Sequence, residues 1–541
     1  MKLNICISVL VVAMMLFSSC EDNFDPKIYG SLSTTNFPQS ESDCEGLLMS
    51  CYIPFHIYWS YNLSGTSQRN WYVATGGVVK IFDATSDLMA PWTIKVWAGW
   101  TDLTQANYAN TIYWNRSPSD ANPNSLEKIR DVTRFTEVIG TLESVDFLSD
   151  SKREQFVAEA RLLRGIMMYN LFHMYGPVPV IVDPELIGTE DGEQNLERPT
   201  LDEMTEMITA DFEYAKEHMS NNQPNGRYTA DYARYVAMVH YLNEGYHVDG
   251  YYDKAIQMYN ELNSSGYGLY TEGGDNAYAD QFKQGNKFNK EVIMAVSVSS
   301  AGNGQAVNGS FNPISYYLIP DDAAPSDADG NPTPFPYAKG WRQVYNISPD
   351  FYDTFEEEDQ RKRTILTSYV AKDASGNLKT VTRDDINDLW NGFIINKYPQ
   401  EVNQSYQPTD WPLARWADVL LMYAEAVARK TQAVPTGDAL QAVNDVRSRA
   451  GLSPLSGDAV ASYDGFMDAL LMERGHELFF EGKRKIDLIR FNKYRHNCKL
   501  YKGETPTHQY IPLPNYAVEE AANYGVELTQ TFQREGYSSD N

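Results

Sequence analysis

The chain has 541 residues, 43% of them hydrophobic and 22% charged, which is the composition of a globular protein with ample core. Its 72 acidic against 45 basic residues leave a net charge of −27, and this excludes general nucleic-acid binding, because phosphate contacts need a basic face. The length allows several domains at ~150 residues each, but no Ser/Gly- or Pro-rich linker divides them.

Residues 1–19 read as an export signal: Lys2, an apolar run from Ile5 to Phe17, then Ser18 and Ser19. The run is shorter than the ~20 residues of a spanning helix. Cys20 follows at once, an arrangement that resembles a bacterial lipobox, in which the cysteine is acylated. Residues 20–40 then form a lipidated tether, and the acids Glu21, Asp22 and Asp25 resemble the surface-export signal of Bacteroidetes lipoproteins. The body has no further membrane-spanning candidate and is held by lipid alone. Cys44 and Cys51 lie on one predicted helix, about 10 Å apart along its axis, too far for a disulfide.

Most of the chain reads as amphipathic helix pairs. Ser42 with Glu45 forms a capping box at the first. Leu126, Ile129, Val132, Phe135, Ile139 and Leu142 share one face of the next. A long helix from Arg153 ends at Gly176-Pro-Val-Pro179, and Thr200 with Glu203 opens another with a capping box. Gly250, Tyr252, Ala255 and Tyr259 match the core of a tetratricopeptide repeat, in which the small alanine lets two helices approach and the tyrosines fill the groove between them. The pair after Ala414 repeats the layout, with Ala439 as the small residue. The expected fold is mainly α: a tetratricopeptide-like helix-pair scaffold with long irregular insertions and a few short hairpins. Residues 291–300 read as a strand, and turns at 329–331 and 375–377 suggest the hairpins.

Two intervals break the helical rhythm, from about Trp59 to Asn124 and from about Ala301 to Asn346. Both are rich in Gly, Asn, Pro and aromatics, and six of the ten tryptophans fall between Trp59 and Trp114. Long loops on a rigid scaffold tend to carry function, and disordered segments are poor in aromatics.

Signals of catalysis are weak. There is no HExxH, GxSxG or Walker loop. The glycines of residues 301–309 are misplaced for a dinucleotide loop. Asp327 opens a run that resembles a calcium loop but has Pro332 where glycine is needed, so a turn is expected. No histidines pair at metal spacing. No catalytic residue, metal or cofactor is therefore assigned. The charged run from Glu473 to Arg490 reads as an ion-pair lattice that ties the last helices to the body, with Arg474–Glu477, Glu481–Lys485 and Asp487–Arg490 at helical spacing.

That run also resembles the C-terminal signature of the SusD/RagB family of outer-membrane lipoproteins, through Glu473, Arg474, Glu477, Leu478, Phe480, Glu481, Gly482, Arg484, Asp487, Leu488 and Arg490. Blocks beginning at Glu159, Arg198, Ser348, Arg415, Val443 and Tyr510 fit the family in order. On this resemblance residues 41–290 form the N-terminal part, with the tetratricopeptide-like pairs, and 291–541 the C-terminal part. The resemblance implies a non-catalytic, surface-exposed glycan-binding lipoprotein. It sits as a lid on a SusC-like TonB-dependent transporter and passes it oligosaccharide. Some members of the family serve peptide uptake, and a surface glycoside hydrolase would share an aromatic groove, so both remain alternatives.

The family's motifs lie in the scaffold and transfer no ligand residue. Candidates come from the intervals instead. Neither a helical nor a strand period holds across Trp92–Trp100, so at least one tryptophan there is expected to face outward, and Trp97 and Trp100 are the stacking candidates. The C–H face of a sugar ring can lie flat on an indole. Trp71, Tyr316, Tyr317 and Trp341 are further stacking candidates, and Asp83 and Asn308 are candidates for bonding the hydroxyls.

Overall fold

The computed structural model describes residues 37–57, 60–63, 66–73, 77–91, 103–108, 125–298, 312–341, 345–386 and 391–534, with backbone only for 60–63 and 66–69. Trp97, Trp100, Asn308, the export signal and Cys20 lie outside these residues. The fold is mainly α-helical. Its principal helices are α1 (Glu41–Cys51), α2 (Ile129–Ser144), α3 (Asp150–Tyr175), α4 (Leu201–His218), α5 (Ala230–Glu244), α6 (Tyr251–Asn263), α7 (Trp416–Thr431), α8 (Asp438–Arg449), α9 (Tyr463–Leu478), α10 (Arg484–Arg490), α11 (Tyr494–Tyr501) and α12 (Asn515–Asn523).

The helices stack in chain order through the scaffold: α2 on α3, α3 on α4, α4 on α5, α5 on α6, α6 on α7, and α7 on both α8 and α9. This is the stacked helix-pair scaffold that the apolar spacing predicts. Val132, Phe135, Ile139 and Leu142 of α2 are all buried on one face. Ala255 is fully buried where α6 meets its neighbours, and the rings of Tyr259 on α6 and Tyr423 on α7 stack with centroids 3.7 Å apart. Gly250 takes φ 81° at the entry to α6, a left-handed conformation that glycine adopts without strain. Ala439 is buried on α8. The box of Thr200 with Glu203 caps α4. At α1 the capping residue is instead Ser40, whose hydroxyl accepts the N–H of Asp43, and Ser42 lies inside the first turn.

The strands are short. β1 (Ser60–Leu63) pairs with β2 (Thr66–Arg69). β3 (Val292–Val296) pairs antiparallel with β9 (Trp411–Arg415), so Arg415 enters α7 beside Val292. β8 (Phe393–Ile395) lies between β4 (Asn346–Ile347) and β5 (Ile365–Leu366). β6 (Tyr369–Lys372) and β7 (Leu378–Val381) form the hairpin expected at 375–377. The turn at 329–331 closes only a single bridge, Ser326 to Pro332. Both loops use one device. Asp327 accepts the N–H groups of Asp329 and Asn331, and Asp373 those of Ser375 and Asn377, so Asp327 holds a turn.

The charged run is a buried lattice, although its partners are mostly distant. Arg474 pairs with Asp487 at 2.9 Å and with Asp418 at 2.8 Å, not with Glu477. Glu477 meets Arg415, Arg449 and Arg361, and Glu481 meets Arg415 and Lys397, not Lys485. Of the three pairs expected from spacing, Asp487–Arg490 is present, at 2.6 Å. Helical spacing fails for the others because these carboxylates are buried, and a buried charge takes whichever opposite charge the tertiary fold delivers. Burial pushes Glu477 up, but Arg449, Arg415 and Arg361 outweigh it and hold the carboxyl below its ordinary range.

Candidate ligand-binding site

The second interval brings three aromatic side chains together. Tyr316 stands on a short helix, Ile314–Leu318. Buried Asn312 fixes that helix. Its side-chain oxygen accepts the N–H of Ile314 at 2.8 Å, and its amide donates to the Thr409 carbonyl at 3.0 Å. Backbone bonds join Asn312 and Gln407 in both directions, which ties the helix to the segment carrying Tyr406.

Trp341 arrives from the far end of the interval. Its backbone N–H donates to the Tyr316 carbonyl at 2.7 Å. The indole then lies nearly parallel to the Tyr316 ring, 10° between planes and 6.2 Å between centroids, an offset arrangement. Tyr406 stands edge-on to Tyr316 at 5.5 Å and 80°, as a wall beside the pair. All three rings are half-buried. Gly340 allows the close approach, since a Cβ there would come within 2.3 Å of the Ile319 carbonyl oxygen. Ala338 holds φ 48°, and non-glycine residues in that region collect at ligand sites. Gln400 steadies the loop by donating to the Lys339 carbonyl at 3.1 Å.

The remaining sequence candidates in the described residues are not on this surface. Tyr317 is 1% exposed and meets Trp341 edge-on from beneath, so it supports the indole. Trp71 is fully buried: its indole N–H donates to the Met167 sulfur at 3.1 Å, and Lys128 lies over its ring at 4.8 Å. It is core because its indole packs against Met167 of α3, so it is not the stacking residue expected from the sequence.

Asp83 is also fully buried, in a single π-helical turn, Val79–Asp83. Its carboxyl accepts the N–H groups of Gly482, Lys483 and Arg484 at the start of α10. Those are the unpaired donors of a helix N-terminus, and a carboxylate is favoured there. Burial nevertheless pushes the Asp83 carboxyl up to about 7, against the three donors. Asp83 therefore caps a helix and cannot reach a ligand.

Other contacts reinforce this junction. Arg484 pairs with Asp87 at 2.8 Å, Lys502 donates to the Ala84 and Thr104 carbonyls, and Tyr494 donates to the Thr85 carbonyl. Lys485 is buried and donates to the Tyr108 hydroxyl at 3.2 Å, and burial lowers its ammonium to about 7. The charged run thus grips the described part of the first interval.

Tyr406 was missed by sequence reasoning. It lies outside both intervals, and a lone tyrosine between Gln404 and Pro408 carries no periodic signal. Among the described residues no group of three or more His, Cys, Asp or Glu could hold a metal, and no helix is long and apolar enough to cross a membrane.

The structure is thus a scaffold of helix pairs that carries an aromatic cluster on irregular loops. The sequence pattern of the SusD family matches residues 206–529, and the chain belongs to that family. A second pattern, described as "Starch-binding associating with outer membrane", matches residues 83–237. Among curated proteins, a SusD-like protein of Bacteroides ovatus is 24% identical over 505 residues, which cover 90% of this chain and 82% of the relative. SusD-like protein P38 of Formosa agariphila is 25% identical over 529 residues, with 91% and 92% covered. Among solved structures, a laminarin binding SusD-like protein superposes with TM-score 0.67 at 21% identity, covering 92% of this chain and 100% of that one. Surface glycan-binding protein A from Bacteroides thetaiotaomicron, in complex with laminarihexaose, gives 0.67 at 20% identity, with 91% and 100% covered.

Proposed function

We propose that this chain is a non-catalytic glycan-binding lipoprotein of the outer surface. Cys20 would carry the lipid, and captured oligosaccharide would pass to a TonB-dependent transporter of the SusC kind on which the chain sits as a lid. The observation that carries the reading is the parallel, half-buried pair of Tyr316 and Trp341 with Tyr406 as its wall. A pyranose ring offers a face of C–H groups that gains by covering such rings, while exposed aromatic surface left uncovered is unfavourable. Two of the solved relatives are named for laminarin or were solved with laminarihexaose, which supports a glycan and points to β-glucan as the first ligand to try.

The test is binding of the purified mature body to a panel of soluble polysaccharides and peptides, with product release measured in parallel. Retention by a glycan without turnover is expected, and Trp341→Ala should weaken it. Binding confined to peptides, or release of reducing sugar, would replace the reading by peptide uptake or by hydrolysis. For the anchor, Cys20→Ala should lose palmitate labelling and membrane retention; unchanged labelling rejects Cys20 as the lipid site.

A further inference from the structure

Phe288 holds φ 56° and leaves 56% of its surface exposed. A bulky side chain at positive φ is strained, and a ring left this far in water recovers little through burial. Strain of this kind persists where the surrounding structure imposes it, and it gathers at ligand clamps. The ring borders a small hollow of ≈ 30 Å³ that Phe282, Ala295 and Pro412 also line. Charges around it are paired: Lys283 with Asp280 at 2.6 Å, Lys287 with Asp410 at 2.7 Å, and Lys290 with Glu272 at 3.2 Å. An apolar face rimmed by neutralised charge suits an uncharged, hydroxyl-rich ring better than a phosphate or a cation.

The Phe288 loop is joined to the aromatic cluster through one residue. The Glu401 carboxylate accepts the Gln284 N–H at 2.6 Å and the Thr409 hydroxyl at 3.3 Å. Its backbone carbonyl lies 3.5 Å from the Tyr337 hydroxyl, and the adjacent Gln400 donates to the Lys339 carbonyl at 3.1 Å. Phe288 follows Gln284 by four residues, and Trp341 follows Tyr337 by four. At ~3.5 Å per residue each ring is within about 14 Å of chain from a contact to Glu401.

We infer that Phe288 is a second stacking position for the same glycan, filled by a sugar unit further along the chain than the one on Tyr316 and Trp341. This rests on the glycan reading above. The ligand would then be an extended oligosaccharide, bound more tightly as it lengthens.

Phe288→Gly provides an opposed pair of readouts, because glycine accepts positive φ. The variant should melt at or above the wild-type temperature while binding the polysaccharide retained by wild type about tenfold more weakly. Binding of the matching disaccharide should not change, whereas Trp341→Ala should weaken both ligands. Phe288→Trp should restore the long ligand. If Phe288→Gly binds the polysaccharide as wild type does while Trp341→Ala fails, the second position is wrong and the glycan function stands. A fall in melting temperature for Phe288→Gly would show the ring to be packing and also overturns the inference. If wild type retains no glycan, the proposed function fails and this inference with it.

Discussion

The guanidinium of Arg415 grips Glu477 twice. Nη1 donates to its carboxylate at 2.8 Å and Nη2 to its backbone carbonyl at 3.1 Å. The same guanidinium holds Glu291 and Glu481, so residues from β9, the approach to β3 and the end of α9 meet at one buried point. Replacing one member leaves an unpaired charge inside. Glu477→Ala or Arg415→Ala should each cost about 3–5 kcal/mol, read as a lower denaturation midpoint. A loss below 1 kcal/mol would mean that water reaches the lattice.

Tyr406 is predicted to be a ligand contact that stabilises nothing essential. Tyr406→Ala should leave the melting temperature within about 2 °C of wild type, as expected for a half-buried loop residue. Glycan affinity should fall about tenfold, measured by calorimetry. Tyr317→Ala should do the reverse, because its ring is buried beneath the indole: it should melt lower first and lose binding only as a consequence.

Ala255 packs where α6 meets α5 and α7, with no exposed surface. Ala255→Leu should overpack the contact and cost about 1–3 kcal/mol. Affinity of the folded fraction should be unchanged. A variant with wild-type stability and no glycan binding would contradict the packing role.

Acid should destabilise the fold through its buried histidines. Burial lowers His240 to about 4 and takes His173 and His476 well below their ordinary value of 6.5. The unfolded chain takes up these protons near pH 6.5 and the native state does not. Their contribution is thus complete above pH 6.5 and drains away as pH falls toward 4, by about 1.4 kcal/mol per pH unit for each group. Asp83 acts oppositely: with its carboxyl raised to about 7, its contribution is complete below pH 3.8 and is lost as pH rises through 7. Three histidines outweigh one carboxyl, so stability should fall between pH 6.5 and 4.5. His240→Gln should make that slope shallower by about one proton, and an unaltered slope would rule out His240 as a source.

Most of the scaffold was legible in the sequence because helix pairs bury one stripe each. The apolar spacing of Val132, Phe135, Ile139 and Leu142, the box at Thr200 and Glu203, and the small Ala255 are all local signals. From Phe156 onward α3 is buried on almost every side, so its chain reads as helix without showing which face meets what. In the site, Trp341 and Tyr316 could be proposed because they lie in an aromatic irregular interval. Trp71 and Tyr317 share that setting and are buried, since composition cannot tell a ring that faces outward from one that folds under. Asp83 and the partners of Glu477 were illegible for another reason: their contacts are fixed by distant chain, and local spacing carries no trace of them.

The cap that Asp83 provides has a bearing on how the molecule is made. Gly482, its first donor, follows it by 399 residues. At ~5–20 residues per second, roughly 20–80 s separate the synthesis of the two. Until the late segment arrives, the Asp83 carboxyl lacks the three N–H donors that hold it in the finished fold. The earliest part of the body therefore depends on one of the latest for its cap, and a chain that stops short of Gly482 would bury the Asp83 carboxyl without these three donors.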